Sequence, residues 1–219
     1  MIRFELFNGD CLQVMDKLIS KGIKVDMILT DPPYGKNYQS NFKKEKFKKI
    51  INDDKQQIDF IKKAYQLLNN NSAFYCFCSW DNYDLIFNEI KKYFIIKNCL
   101  VWYKKGGGLG DLKGSYIPNH EFIIFATKGR HILNGKRHND VLEFSKGNTR
   151  EYKHPTQKPI ELLEFLINKS TNEGDLVLDC YGGSGSTGVA CKNLNRSFIG
   201  IEIDSYYYEI MKKRIEEGK

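Results

Sequence analysis

Leu176-Val177-Leu178-Asp179-Cys180-Tyr181-Gly182-Gly183-Ser184-Gly185-Ser186-Thr187-Gly188 decides how this chain folds. A short apolar run ends on an acid, a glycine-rich stretch follows, and small and apolar residues resume through Val189, Ala190 and Leu194. The order is strand, tight loop, helix. Gly183-Ser184-Gly185-Ser186-Thr187-Gly188 fits G-x-G-x-x-G, and Glu202 lies in the next strand, Ser197 to Ile203. That β-α-β pattern receives an adenosine-containing cofactor. Glycine lets the backbone come close, the helix N-terminus offers N–H groups to an anionic group, and the acid accepts from two ribose hydroxyls.

Two cofactor types compete for such a loop. A nicotinamide dinucleotide normally has the fingerprint open its domain, with more strands to follow. Here the sequence after Glu202 has room for one helix, Tyr206 to Glu217. Asp179 adds a carboxylate one strand end ahead of the loop. It suits a free amino group, which S-adenosylmethionine has and nicotinamide dinucleotides lack.

Working outward, Phe4 to Phe7 reads as a strand, Asn8-Gly9-Asp10 as a turn, and Cys11 to Ile19 as an amphipathic helix. Val25 to Thr30 is a buried strand that breaks on Asp31-Pro32-Pro33-Tyr34. The prolines remove two backbone donors, leaving a carboxylate, carbonyl acceptors and an aromatic ring at a strand end. Such a group suits a planar molecule carrying an –NH2, although a strand-end turn with a capping acid has the same spelling. Helices are expected over Ile58 to Leu68, ended by Asn69-Asn70-Asn71, over Leu85 to Phe94 and after Pro159. Strands are expected at Ala73 to Cys78, Ile95 to Tyr103 and Phe122 to Ala126. Strands and helices alternate, so the class is α/β with a mostly parallel sheet and one domain over 1–219. Asp10, Asp31 and Asp179 then share the carboxyl edge, where open α/β sheets bind ligands.

Hydrophobic residues make up 41% and charged residues 28% of the 219, ordinary for a soluble protein with one sizeable core. No apolar run reaches the ~20 residues of a membrane helix, and Met1-Ile2-Arg3-Phe4-Glu5 carries no signal-peptide pattern, so a cytoplasmic location is expected. The six cysteines form no C-x-x-C pair and lie near no histidine at zinc spacing, so reduced thiols and no metal site are expected. The net charge of +7 suits a polyanionic partner. Its lysines cluster: Lys43, Lys44, Lys46, Lys48 and Lys49 surround Phe42 and Phe47 just after Tyr34. That run reads as a substrate-contacting lid or as a solvated face. Lys104 and Lys105 precede the flexible Gly106-Gly107-Gly108-Leu109-Gly110 loop. Arg130, Lys136 and Arg137 lie in 128–153, a polar stretch expected to be an insertion outside the main core.

With these residues identified, the chain resembles the β-class amino-methylating DNA methyltransferases over nearly its whole length. Asp31-Pro32-Pro33-Tyr34 matches the catalytic motif in its adenine-type spelling. Asp179 through Gly188 resembles the cofactor loop, with Tyr181 where Phe is common, and Glu202 matches the ribose-binding acid. Asn8-Gly9-Asp10-Cys11 and His154-Pro155-Thr156-Gln157-Lys158-Pro159 match the segments ahead of the two motifs. The order, catalytic motif first and glycine loop late, is also the family's. The resemblance implies a Rossmann-like S-adenosylmethionine-dependent methyltransferase fold, with a twisted sheet covered by helices on both faces. It implies methyl transfer from S-adenosylmethionine to the N6 of a flipped-out adenine in double-stranded DNA, and cofactor contacts from Asp10, Cys11, Asp31, Thr156, Gln157, Lys158, Asp179, Tyr181, Gly182, Gly183, Ser184, Gly185, Ser186, Thr187, Glu202 and Ile203. It also implies a homodimer, a cognate restriction endonuclease, and target recognition by the short 128–153 insert, with loops 35–56 and 104–119 sharing the task.

The chemistry implied is geometric. Asp31 and the Pro32 carbonyl accept the two amino hydrogens, Tyr34 stacks on the base, and the nitrogen lone pair points at the methyl group; Pro33 completes the catalytic motif. Backbone contacts are expected from Lys43, Lys44, Lys46, Lys48, Lys49, Lys104, Lys105, Arg130, Lys136 and Arg137, which makes affinity salt-dependent. The alternatives are cytosine-N4 methylation on the same scaffold, where Ser is commoner at position 31, a nicotinamide oxidoreductase, and a non-catalytic basic DNA-binding module.

Overall fold

The computed structural model describes residues 2–35, 57–106, 113–146 and 157–218. One eight-stranded sheet organises them. Its strands are β1 (Phe4–Asn8), β2 (Val25–Thr30), β3 (Leu68–Cys78), β4 (Ile95–Tyr103), β5 (His120–Lys128), β6 (Val141–Glu143), β7 (Leu176–Asp179) and β8 (Ser197–Glu202). Their order across the sheet is β1-β8-β7-β2-β3-β5-β4-β6. All pairings are parallel except those of β5, which runs against both β3 and β4.

Among the described residues six helices cover the two faces: α1 (Cys11–Ser20), α2 (Phe60–Leu67), α3 (Tyr83–Lys91), α4 (Ile160–Ser170), α5 (Ser186–Asn193) and α6 (Ser205–Glu217). Strand residues alternate between the two cores, as the period of two requires. Ile28, Phe74 and Cys76 face α1, α2 and α3, whereas Met27, Leu29, Ala73 and Tyr75 face α4, α5 and α6. No helix among the described residues is long and apolar enough to cross a membrane.

The expected α/β class, mostly parallel sheet and helices on both faces are therefore present. Asn69, Asn70 and Asn71 do not end a helix, however. They belong to β3, whose pairing with β2 shifts register between Val25 and Met27, and Asn71 takes a positive φ of 61°. Pro159 stands at the N-cap of α4 rather than in its first turn. Part of the 128–153 stretch also extends the sheet: β6 pairs with β4, and Leu142 is buried.

Topology sets where ligands meet the sheet. From β7 the chain crosses through α5 to β8 on one side, and from β2 it passes through α2 to β3 on the other. β7 and β2 are thus the neighbours from which the connections diverge, and a crevice opens beyond their carboxyl ends. Asp179 ends β7, and Asp31 directly follows β2.

Candidate active site

At that crevice Thr30 ties the two strand ends together. Its hydroxyl donates to Asp179 Oδ1 at 2.9 Å and accepts from the Cys180 amide at 3.2 Å. Asp179 also accepts from the Tyr181 amide (3.1 Å) and, on Oδ2, from the Thr187 hydroxyl (2.7 Å). A carboxylate has about four acceptor positions, so three are committed to holding β7, the loop and α5 together. Burial pushes the Asp179 carboxyl up to about 6, partly offset by these donors.

The glycine loop is braced from both ends of the β-α-β unit. Glu202 Oε2 accepts from the Gly183 amide at 2.8 Å and Oε1 from the Asp204 amide at 2.8 Å. Burial raises its carboxyl above the usual range, and the two amides offset part of that. Each oxygen can accept a second bond toward the cavity, which suits a pair of ribose hydroxyls. Arg214 of α6 reaches the loop from outside, donating to the Ser184 carbonyl (2.7 Å) and to the hydroxyls of Ser184 (3.0 Å) and Ser186 (3.2 Å). The Ser184 hydroxyl in turn donates to Gln157.

Two glycines of this stretch are set by packing against the rest of the protein. Gly185 has φ +83°, and a Cβ there would come within 2.8 Å of Met211 Cγ and 3.0 Å of its Cα. A Cβ on Gly188 would meet Ile215 and Phe198. These two glycines let α5 and its loop pack closely on α6 and β8. Gly182, Gly183, Ser184, Ser186 and Thr187 line the cavity.

The cavity continues from this loop past Asp10 and Cys11 to Asp31, Pro32, Pro33 and Tyr34. Asp10 caps α1 through the Gln13 amide, and burial pushes the Cys11 thiol up to about 11, so it stays protonated. Tyr181, Ile203, Gln157 and Lys158 line the same space, as do Gln57, Phe77 and Tyr207, which sequence reasoning did not name. Tyr181 also packs edge-on against Phe60 of α2 at 5.3 Å. Thr156 and Lys43, Lys44, Lys46, Lys48 and Lys49 lie outside the described residues.

Asp31 is held by two groups. Its Oδ1 accepts from the Tyr34 hydroxyl at 2.6 Å, and its Oδ2 pairs with Lys158 Nζ at 2.5 Å. Lys158, expected among the cofactor contacts, pairs with Asp31 while also lining the cavity. The same ammonium lies 3.2 Å from Glu121 Oε2, and Glu121 Oε1 pairs with Lys104 at 2.5 Å. Burial raises the Asp31 carboxyl above its usual value, against the pull of Lys158. Burial would raise Glu121 too, but Lys158 and Lys104 outweigh it and hold its carboxyl at about 2. One acid answers to a single cation and the other to two.

The basic residues divide by sheet edge. Lys105 follows β4 at the carboxyl edge, exposed and paired with Glu143 at 3.0 Å. Lys104 is turned inward: its side chain is 8% exposed and engaged with Glu121, so it does not offer its charge to a backbone outside. Arg130 and Lys136 emerge at the opposite edge. β5 is antiparallel, so the chain leaving it reaches the amino ends of its neighbours. There the Arg130 amide donates to Asn71, and Lys169 at the end of α4 donates to the Lys136 carbonyl. These two residues and the adjoining Arg137 are thus not gathered at the crevice with Asp31.

Comparison with known proteins gives one answer. A family model described as DNA methylase matches residues 25–213. The type II methyltransferase M.HpaI of Haemophilus parainfluenzae is 33% identical, over 88% of this chain and 68% of its own length. The DNA adenine methyltransferase YhdJ of Escherichia coli is 28% identical, over 96% of this chain and 82% of its own. The solved M1.HpyAVI–SAM complex superposes with a TM-score of 0.79 at 30% identity, over 96% of this chain and 99% of that one.

Proposed function

Because the chain belongs to the DNA methylase family, we propose that it transfers a methyl group from S-adenosylmethionine to the exocyclic N6 of adenine in double-stranded DNA. One observation carries this reading: the Asp31 carboxylate and the loop braced by Glu202 open into a single cavity. Glu202, the Gly183 backbone and the remaining acceptor position of Asp179 are the groups that would hold ribose and amino groups. The sulfonium, when bound, supplies an electrophilic methyl.

The chain's own residues then prepare the base. An adenine amino nitrogen is a weak nucleophile because its lone pair is delocalised into the ring. Asp31, accepting one N–H, pulls that nitrogen toward a tetrahedral shape and compensates the positive charge it gains. Positioning of this kind lowers barriers by roughly 7–11 kcal/mol. Phe77 and Tyr34 supply apolar walls for a base that has left the duplex, a step costing a few kcal/mol. Tyr34 also carries its hydroxyl on Asp31, so its ring and its oxygen have separate duties. Lys105, the lysines of 43–49 and the part of the 128–153 stretch that follows β6 are the segments proposed to meet DNA. A homodimer and a cognate restriction endonuclease complete the proposal.

The test is incorporation of tritiated methyl into duplex DNA, with the product identified by mass spectrometry. N6-methyladenine is expected; N4-methylcytosine would overturn the substrate, and no incorporation would overturn the function. Glu202→Ala should weaken S-adenosylmethionine binding by about 10- to 150-fold in calorimetry, the equivalent of roughly 1.5–3 kcal/mol for a charged hydrogen-bond acceptor. Because the same carboxylate braces Gly183, the loss should exceed that of Glu202→Gln, which keeps an acceptor. An unchanged dissociation constant in Glu202→Ala would remove the ribose assignment.

A further inference from the structure

Asp31, Lys158, Glu121 and Lys104 form an unbroken chain of alternating charge, with successive contacts of 2.5, 3.2 and 2.5 Å. Four separate segments supply it: the ends of β2 and β4, the start of β5 and the approach to α4. Two acids and two lysines balance, and every member is largely enclosed, from 7% side-chain exposure at Lys158 to 20% at Asp31. Glu121 and Lys104 do not line the cavity. They are therefore placed to act on the base only through other groups.

Lys158 is the shared member. Its ammonium sits closer to Asp31 than to Glu121, but Glu121 competes for it. Glu121 Oε2 also lies 3.4 Å from the Tyr34 hydroxyl, which currently donates to Asp31 Oδ1. Glu121 thus draws on both donors that occupy Asp31. Lys104 in turn draws on Glu121.

We infer that Glu121 and Lys104 are positioning residues for Asp31: acting through Lys158, they set how tightly the catalytic carboxylate is held and how readily one of its oxygens opens to the amino group. A carboxylate clamped by an undivided ammonium is a poor acceptor, and one with no cation in an enclosed site is driven to take a proton. The chain holds Asp31 between these limits. The inference rests on the proposed methyl transfer for its catalytic meaning, but the ion chain itself can be tested without it.

The two outer members act in opposite directions. Glu121→Gln leaves Lys158 wholly to Asp31 and removes a repelling charge, so Asp31 should ionise at lower pH. Lys104→Gln frees Glu121 to take more of Lys158, so Asp31 should ionise at higher pH. Both changes delete the same Lys104–Glu121 pair, so a purely structural role predicts effects of the same sign. The other titratable groups facing Asp31 are Tyr34, Cys76 and Cys78, which burial keeps protonated, and Asp179 behind Thr30, whose carboxyl burial pushes up to about 6. Neither substitution removes a partner of Asp179.

The experiment has two arms. Carboxyl-carbon NMR of aspartate-labelled protein follows Asp31 directly, its signal identified by its loss in Asp31→Asn. The acid limb of kcat for tritiated-methyl transfer follows it in the working enzyme. Displacements of about one pH unit are expected, downward for Glu121→Gln and upward for Lys104→Gln. Lys104→Arg, which keeps the charge, should return the midpoint to its wild-type position. Displacement in one common direction, or none, would overturn the inference. If Glu121→Gln does not fold, the sign in Lys104→Gln decides alone. A wild-type protein that methylates no DNA but shows opposed NMR midpoints would sink the proposed function and leave the ion chain standing.

Discussion

Asp31→Ala should lower methyl transfer by at least about 10³-fold while duplex DNA binding changes little. The amino group loses the acceptor that becomes more valuable as nitrogen gains positive charge, so the loss falls on kcat rather than on KM. Removing one preorganised donor from an oxyanion hole costs about 10²–10³. Here the lost group carries a full charge in an enclosed site, which places the expectation at or above the top of that range. The substitution also releases the Tyr34 hydroxyl and half of the Lys158 pairing, both of which can fall back on Glu121. Asp31 follows its strand and packs little core, so the fold should survive, with far-UV circular dichroism unchanged. Asp31→Asn separates shape from charge. Its amide oxygen still accepts, but its –NH2 faces the Lys158 ammonium or the Tyr34 hydroxyl, so turnover should fall nearly as far. Turnover in Asp31→Ala within tenfold of wild type would remove this residue from the mechanism.

What could be read from sequence, and what could not, follows from the range of the interactions involved. Leu176 to Gly188 was legible because strand, loop and helix are local, and Asp31 because two prolines end its strand. Glu121 was missed although a signal existed: an acid stands just ahead of the apolar run Phe122-Ile123-Ile124-Phe125. Its meaning depends on Lys158 and Lys104, which are remote in sequence and meet it only because β5 lies between β3 and β4. The direction of β5 also explains the basic residues. An all-parallel continuation would have put the segment after it at the crevice; the antiparallel strand sends Arg130 and Lys136 to the far edge. Lys104 read as an exposed cation because its inward partner is invisible in the local pattern. The G-x-G-x-x-G pattern also does not say that Gly185 lies against Met211, a contact made by the remote α6.

Lys158→Met should destabilise the protein by about 3–5 kcal/mol near pH 8, the cost of leaving a buried charge without its partner. Methionine keeps most of the side-chain volume, so little of this loss would come from packing. Asp31 would be left enclosed beside Glu121 with no cation of its own, whereas Glu121 would retain Lys104. The pH dependence follows from the directions of the shifts. Lys158 ionises above its ordinary value in the folded state, so its contribution is full below the unfolded value and is lost only as pH rises through the folded one. Asp31 is already raised by burial, so keeping it ionised costs stability above its unfolded value, and deleting Lys158 raises it further. As pH falls, the variant's Asp31 takes a proton and the penalty shrinks. Urea unfolding at about pH 5.5 and about pH 8 should therefore show a small gap from wild type at the lower pH and a large one at the higher. Adding Asp31→Asn to Lys158→Met should recover most of the loss near pH 8, because both buried charges are then gone. An equal gap at the two pH values, with no recovery in the double variant, would mean that Lys158 is held for its packing and that its bond to Asp31 does not govern the carboxylate.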